Sequence, residues 1–162
     1  MTKSNTPSYP IAYLEMLYNK HGSDILRYLY RLVGPKMAED VLQDTFVQAA
    51  IHVDRLDSVV SPRAWLFKVA KNMAFNHLRK RKDVPVDIAW ESLVQSPQQE
   101  DQRLESMRMA IRKLPPDQRE TILLRWYDEL SYEEIAQALQ IPLGTVRSRL
   151  HHAIRKLHQQ ID

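Results

Sequence analysis

A stretch near the C-terminus places hydrogen-bond donors at helical spacing. In "LGTVRSRLHHAIRKL", residues 143–157, apolar side chains fall on one side of a helix drawn at about 100° per residue. The other side and its flanks carry donors that can reach base edges and phosphates, because a DNA major groove admits a helix. The candidate DNA contacts of this face are Thr145, Arg147, Ser148, Arg149, His151, His152 and Arg155.

The residues before this stretch favour a helix-turn-helix over the alternative of a generic amphipathic helix pair. Ser131 and Glu134 have the spacing of a capping box, which marks a helix start. The helix that follows is short, and Ile135, Ala136 and Leu139 predict its inward face. A short turn then leads into the donor-bearing helix, so the first helix would brace the second against DNA.

A second basic segment differs in character. Residues 63–82 contain seven basic residues and no acid. On a helix, Lys68, Lys71, Asn72, Phe75 and Arg79 share one face, and an aromatic among cations suits a nucleic acid strand whose bases stack. Phe75 and Trp65 fit a core or interface role equally well, and His77, on the apolar stripe, is expected to be a hydrogen-bonded core histidine.

The segment "KMAEDVLQDTFVQAAIHV" predicts a helix with two usable faces. Ala38, Val41, Leu42, Thr45 and Ala49 would face the core. A second stripe mixes acids with branched apolar residues, which suits neither water nor DNA and indicates a protein-docking surface. Its members are Asp40, Gln43, Asp44, Val47 and Ile51. The alternative is that Val47 and Ile51 bury against another helix of the same domain.

The elements that must position these residues are all predicted to be helical. Apolar residues recur at three- and four-residue spacings, and only three glycines occur. No sustained alternation of apolar and polar residues, which would indicate strands, is found. The predicted helices span residues 10–21, 24–33, 36–53, 63–81, 101–113, 117–128, 132–139 and 144–159. Gly34-Pro35, Ser61-Pro62 and Pro115-Pro116 predict helix boundaries. Residues 83–99, with two prolines and weak periodicity, predict a linker between two domains.

Composition excludes several classes of function. The chain has 162 residues and 44% hydrophobic content, enough for one ordinary domain or two small ones. It has no cysteine, and its six histidines show no ligand-like pairing, so disulfides, zinc fingers and metal chemistry are not expected, and no cofactor or small-molecule substrate is predicted. The first residues have no apolar signal core and no run is long enough to cross a bilayer, which predicts a cytoplasmic protein without membrane insertion.

Charge is distributed unevenly despite a net charge of +3. Residues 83–105 carry six acids against Arg103 alone, between the basic segment at 63–82 and the basic C-terminal helix. Charge runs are often solvated faces. Two basic patches separated by an acidic tether also fit two contacts on one polyanion, with the tether repelled from it.

Three segments together resemble extracytoplasmic-function (ECF) sigma factors of bacterial RNA polymerase. They are "YLYRLVGPKMAEDVLQDTFVQA", "SPRAWLFKVAKNMAFNHLRKR" and "LPPDQRETILLRWYDELSYEEIAQALQIPLGTVRSRLHHAIRKL", in the family's order over nearly the whole chain. The resemblance implies an all-α protein with a σ2-like domain at 8–84, a flexible acidic linker at 85–99 and a σ4-like domain at 100–162. It implies no catalytic activity of its own, and direction of core polymerase to promoters.

The resemblance also implies roles for the candidate residues. The stripe of Asp40, Gln43, Asp44, Val47 and Ile51 would contact the β′ clamp helices, and residues 101–128 would meet the β flap. The loop at 57–63 and the next helix would recognise and open the downstream promoter element, with a base extruded near the loop; these candidates are Ser58, Arg63, Lys68, Lys71, Asn72, Phe75 and Arg79. The C-terminal helix would bind the upstream element, and an anti-sigma factor is an expected partner.

Two positions depart from the pattern of the family. Gln140 stands where many members have glycine, so the turn must accommodate a side chain, and His151-His152 is a variant on the DNA-facing side.

The main alternative is a two-domain helix-turn-helix regulator that binds duplex DNA as a dimer without recruiting polymerase, which predicts a palindromic site. Another is an adaptor whose basic helix docks an acidic protein. The two dissimilar basic helices favour the sigma factor.

Overall fold

The computed structural model describes residues 8–59, 61–80 and 102–161. Seven α-helices and one 3₁₀ helix account for most of these residues, so the all-α prediction is confirmed. The α-helices are α1 (Ser8–Val33), α2 (Pro35–Ile51), α3 (Pro62–Lys80), α4 (Gln102–Arg112), α5 (Pro116–Trp126), α6 (Tyr132–Leu139) and α7 (Leu143–Ile161). The 3₁₀ helix, Val53–Ser58, continues the chain after α2, where a longer α-helix to residue 53 was expected.

Helices α1, α2 and α3 pack together as one compact unit, and α4 to α7 form another. Each unit has its own core. The predicted linker at 83–99 lies outside the described residues, as do Arg81 and Lys82 of the basic segment. Among the residues that are described, no helix combines the length and the apolar character needed to cross a bilayer.

A single residue joins α1 to α2. Gly34 has φ 80° and ψ 170°, a backbone conformation that glycine adopts far more readily than other residues, and Pro35 opens α2 at its first position. Ala38 donates its backbone N–H to the carbonyl of Gly34 at 3.2 Å. The predicted boundary at Gly34-Pro35 is therefore present, and it turns α2 back along α1.

The expected break between residues 21 and 24 was wrong, because α1 runs unbroken from Ser8 to Val33. Glycine inside a helix costs about 1 kcal/mol relative to alanine. Gly22 is buried, and the core residues Leu17 and Ile25 lie on either side of it in the sequence with exposures of 2% and 0%. Burying each such side chain contributes about 1.5–3 kcal/mol, so packing outweighs the local preference.

The core of the first unit centres on Phe67 of α3. Its ring is fully buried, with its centroid 5.1 Å from that of Tyr28 in α1. Ser61 caps α3, its Oγ accepting a hydrogen bond from the N–H of Ala64 at 3.2 Å, as the Ser61-Pro62 pair predicted. This packing fixes the rotation of α3 about its axis, and so decides which of its side chains reach solvent.

The second unit packs three helices around α7. Ile122 and Leu124 of α5, Ile135 of α6 and Val146 of α7 have no exposed surface. Pro116 is at the start of α5, as predicted. Because α7 packs against α4, α5 and α6 along one stripe, its remaining faces are left for other contacts.

Candidate nucleic-acid and protein interfaces

The start of α6 is held by the capping box that the sequence predicted. Ser131 Oγ accepts a hydrogen bond from the N–H of Glu134, and Glu134 Oε1 accepts one from the N–H of Ser131, both at 3.1 Å. Two backbone donors that the helix itself cannot satisfy are thereby paired. The cap determines where α6 begins and so how α6 supports α7.

The turn between α6 and α7 contains a strained residue. Gln140 has φ 55° and ψ 47°, in the left-handed region, and its N–H lies between the carbonyls of Ala136 and Gln137. Ile141 donates its N–H to Ala136 at 3.1 Å. The turn therefore has the hydrogen bonds of a helix C-terminus that ends in a residue of left-handed conformation. Gln140 occupies that position, where glycine is favoured because it has no side chain.

Helix α7 divides into an inward and an outward face as its pattern predicted. Val146, Leu150, Ala153 and Leu157 are buried. Five of the seven candidate DNA contacts are exposed on the outward side, namely Arg147, Ser148, His151, His152 and Arg155. The ring centroids of His151 and His152 lie 5.7 Å apart. The structure thus brings these donors to one solvent-facing surface.

The remaining two candidates on α7 lie at the edge of that surface. Thr145 is half-buried near the start of the helix. Arg149 is also half-buried, and its Nη2 lies 3.8 Å from Asp117 Oδ2 at the start of α5. Its guanidinium therefore faces the neighbouring helix, a placement that depends on tertiary packing and that the sequence alone did not predict.

Helix α3 presents a face of mixed chemistry to solvent. Asn72, Phe75 and Arg79 are exposed, Phe75 at 37%. Lys71 is half-buried, and its Nζ lies 5.5 Å from the centroid of the Phe75 ring. The face thus combines an accessible aromatic ring with cationic and amide side chains, the combination that binds single-stranded nucleic acid by stacking and charge.

Of the two further candidates of the first unit, Arg63 lies apart from that face. Arg63 is largely turned inward, with Nη2 3.9 Å from Asp24 Oδ2 and its guanidinium carbon 6.0 Å from the Phe67 ring centroid. Ser58 ends the 3₁₀ helix, but its side chain lies outside the described part of the structure. The structure therefore places Arg63 between helices and leaves the predicted role of Ser58 as a prediction.

A cavity of about 270 Å³ opens between α2, the 3₁₀ helix and α3. Lys68 and Asn72 of the candidate face line it together with Trp65, whose ring centroid lies 6.2 Å from that of His52. Three lining residues were missed by the sequence analysis, because they precede the basic segment and carry no pattern of their own: Gln48, His52 and Arg55. The cavity is therefore lined by the aromatic ring of Trp65 and by several hydrogen-bonding groups.

The second stripe of α2 is accessible along its length. Asp40, Gln43 and Asp44 are exposed, as are Val47 at 55% and Ile51 at 64%. The core-facing prediction is confirmed as well, since Ala38, Val41, Leu42, Thr45 and Ala49 are buried. The alternative that Val47 and Ile51 bury within their own unit is therefore wrong.

His77 does not lie in the core, where it was expected. Its side chain is 29% exposed, and its Nε2 lies 2.7 Å from Oδ2 of Asp44 on α2. The expectation that the ring has a hydrogen-bond partner is met, but the partner belongs to the exposed stripe. A position near the end of α3, beyond the last buried residue Ala74, explains the difference.

Comparison with known proteins supports the assignment of both units. Residues 17–84 match the family described as Sigma-70 region 2, and residues 104–157 match Sigma-70 region 4. The first match covers the unit that carries the α2 stripe and the face of α3. The second covers the helix-turn-helix and most of α7.

Individual relatives resemble the chain over most of its length. The ECF RNA polymerase sigma factor SigM of Bacillus subtilis is 32% identical over 89% of this chain and 92% of its own. SigL of Mycobacterium tuberculosis, also an ECF sigma factor, is 34% identical over 90% and 87%. The fold resembles that of the sigma factor RpoE from Bartonella quintana, solved in complex with the anti-sigma factor NepR, with a TM-score of 0.66, 23% identity and coverage of 93% of this chain and 96% of the other. The order of its regions and its similarity to full-length relatives show that this chain belongs to the ECF sigma factors of bacterial RNA polymerase.

Proposed function

We propose that this protein binds core RNA polymerase and directs it to promoters with two unlike elements, the upstream one bound by α7 and the downstream one opened by the first unit. The observation that carries the proposal is the presence, in one chain, of the donor face on α7 and the exposed acidic and apolar stripe on α2. The stripe adds a protein-docking surface to a DNA-binding face, and a factor that brings an enzyme to DNA requires both surfaces.

Binding of the upstream element is assigned to the outward face of α7. Arg147, Ser148, His151 and Arg155 would reach base edges and phosphates, with arginine able to bind guanine through two hydrogen bonds. Helix α6, capped by Ser131, would cross the DNA backbone and hold α7 in the groove. Arg149, already near Asp117, would reach a phosphate only by leaving that carboxylate.

Opening of the downstream element is assigned to α3 and the cavity beside it. Separating base pairs loses stacking on the order of 1.4 kcal/mol per step, so a protein that opens DNA must hold the released bases. The exposed ring of Phe75 offers a stacking surface, and the cavity beside Trp65 offers a site for one extruded base. Lys71 and Arg79 would hold the strand through its phosphates.

Polymerase docking is assigned to α2 and to the first helices of the second unit. Val47 and Ile51 provide apolar contacts and Asp40 and Asp44 provide charge, which together fit the β′ clamp helices. In the second unit, α4 exposes Leu104 and Met109, and the end of α5 and the residue after it expose Trp126 and Tyr127, a set suited to the β flap. We expect no catalysis by this chain, since the polymerase performs the reaction.

An anti-sigma factor is proposed as a second protein partner. RpoE of Bartonella quintana was solved in complex with one. The apolar side chains exposed on α2 and α5 would need covering whenever polymerase is absent, because exposed apolar patches mark protein-binding surfaces. Since polymerase and promoters are cytoplasmic in bacteria, the site of action would be the cytoplasm.

Run-off transcription tests the proposal directly. Core bacterial polymerase is incubated with promoter fragments, with and without the protein. We expect discrete transcripts only when the protein is added, and their aligned upstream sequences should contain two unlike elements at fixed spacing. Binding to palindromic DNA without polymerase binding or transcripts would favour the regulator, an alternative that the family assignment does not favour.

A further inference from the structure

The contact between His77 and Asp44 connects α3, which carries the candidate nucleic-acid face, to the exposed stripe of α2. The residues lie 33 positions apart, on α3 and α2, and their side chains approach to 2.7 Å. A carboxylate oxygen accepts hydrogen bonds, so Nε2 of His77 can donate one to Oδ2 of Asp44 in the ring tautomer that carries its hydrogen there. The contact therefore restricts the orientation of both the imidazole ring and the carboxylate.

Asp44 remains accessible although it is paired. Half of its side chain, 51%, is exposed, and it lies within the stripe beside Gln43 and one turn before Val47. A partner can therefore reach the carboxylate without displacing the histidine. An exposed aspartate without such a contact would sample several rotamers, and a partner would have to select one of them.

We propose that His77 is a positioning residue for polymerase docking, which holds the Asp44 carboxylate in the orientation that core polymerase binds. This rests on the proposed function of the α2 stripe. The histidine contributes no interface contact of its own. Its effect comes from orientation that is already established before binding, which reduces the entropy lost in the complex.

A competing explanation is that the pair is an ordinary surface contact. Exposed ion pairs often contribute little to stability, and many contribute nothing measurable. The two explanations differ in what is lost when the histidine is replaced. A surface contact affects at most the thermal stability of the protein, whereas a positioning contact changes the affinity for polymerase and does so only while Asp44 is present.

The experiment measures the affinity of the full chain for core polymerase by fluorescence anisotropy. We expect His77→Ala and His77→Leu, the second of which keeps much of the side-chain volume, to weaken binding about three- to tenfold. His77→Gln should restore most of the affinity, since its amide can donate to Asp44. Asn76→Ala, an exposed neighbour on α3, is the matched control and should bind as the wild type does.

A double-mutant cycle decides whether the effect passes through Asp44. In an Asp44→Ala background, His77→Leu should cause no further loss of affinity. An equal loss with and without Asp44, or wild-type affinity of both His77→Ala and His77→Leu, would overturn the inference. If the wild-type protein itself fails to bind core polymerase, the proposed function fails, which is a separate and recognisable result.

Discussion

The ammonium nitrogen of Lys71 lies 5.5 Å from the centroid of the Phe75 ring, one turn further along α3. The lysine covers part of one side of the ring, yet 37% of Phe75 remains exposed. A base that stacks on the open part would place its phosphate within reach of a cation. This single pair therefore offers both components of sequence-tolerant strand binding, a stacking surface and a positive charge.

Replacing Phe75 by leucine should weaken capture of the opened strand. Leucine keeps apolar contact but removes the flat ring, and stacking of one base on an aromatic side chain is worth about 1–3 kcal/mol. The measurement is binding of a single-stranded non-template oligonucleotide to the complex of this protein with core polymerase. Tyr18→Leu, which changes an exposed aromatic on α1, serves as the control and should leave strand binding unchanged. Equal effects of both changes would contradict the assignment of α3.

Replacing Arg147 by alanine should weaken binding of the upstream element by roughly 1–3 kcal/mol if the guanidinium contacts a base. Polymerase affinity should stay as it is, because Arg147 lies on the outward face of α7. Electrophoretic mobility shifts of polymerase complexes on promoter variants measure the effect. Lys156→Ala removes the same charge from the same helix outside the candidate set, and should reduce affinity less and without base preference. A loss of polymerase binding in Arg147→Ala would show that the helix has another role.

Replacing Val47 by aspartate should abolish tight polymerase binding without unfolding the protein. The side chain is 55% exposed, so the free protein should tolerate the change within about 0.5 kcal/mol. In the complex, a charge without a partner would be buried, at a cost of several kcal/mol. Ile11→Asp on α1, another exposed apolar position, is the matched control. Polymerase pull-down together with a thermal melt tests this, and unchanged pull-down of Val47→Asp would remove the stripe from the docking surface.

Replacing Gln140 by glycine should stabilise the second unit. A left-handed conformation costs a residue with a side chain about 1–2 kcal/mol, which glycine avoids. Glycine loses more backbone entropy on folding, and this offsets about 0.5–1 kcal/mol of that gain. The net stabilisation lies between about 0 and 1.5 kcal/mol, and its midpoint of about 0.75 kcal/mol should raise the melting temperature by roughly 3–6 °C. Thermal unfolding followed by circular dichroism measures it. Lys156→Gly, in the interior of α7, should lower stability by about 1 kcal/mol, and a lower melting temperature of Gln140→Gly would show that the glutamine side chain is needed in the turn.

Features set within one helix were predictable from the sequence. The inward stripe of α7, ending at Leu157, and the two faces of α2 follow from helical periodicity, and the cap at Ser131 follows from the spacing to Glu134. Each depends on residues within a few turns of one another, whose geometry any α-helix provides. The order of the helices and the family were predictable for the same reason, since motifs are local.

Features that depend on distant residues were not predictable. The inward turn of Arg63 depends on Asp24 in another helix, and the approach of Arg149 to Asp117 depends on how α7 packs on α5. The half-buried position of His77 likewise follows from where α3 leaves the core. The unbroken α1 shows the same limit, because burial around Gly22 overrides a local preference that the sequence expresses clearly.

The one-residue connection at Gly34 places α1 and α2 side by side early in the chain, and α3, the last described helix of the first unit, ends at Lys80. Contacts between neighbouring helices form quickly, and domains fold as units while the ribosome is still adding residues at about 5–20 per second. The roughly 80 residues from the end of α3 to the end of α7 would take about 4–16 s to synthesise. Stalled ribosomes carrying only residues 1–110 should therefore bind core polymerase, and failure to do so would exclude this order of events. Competition between polymerase and an antagonist for the α2 stripe would then begin on the ribosome, before the helix that selects the promoter has been made.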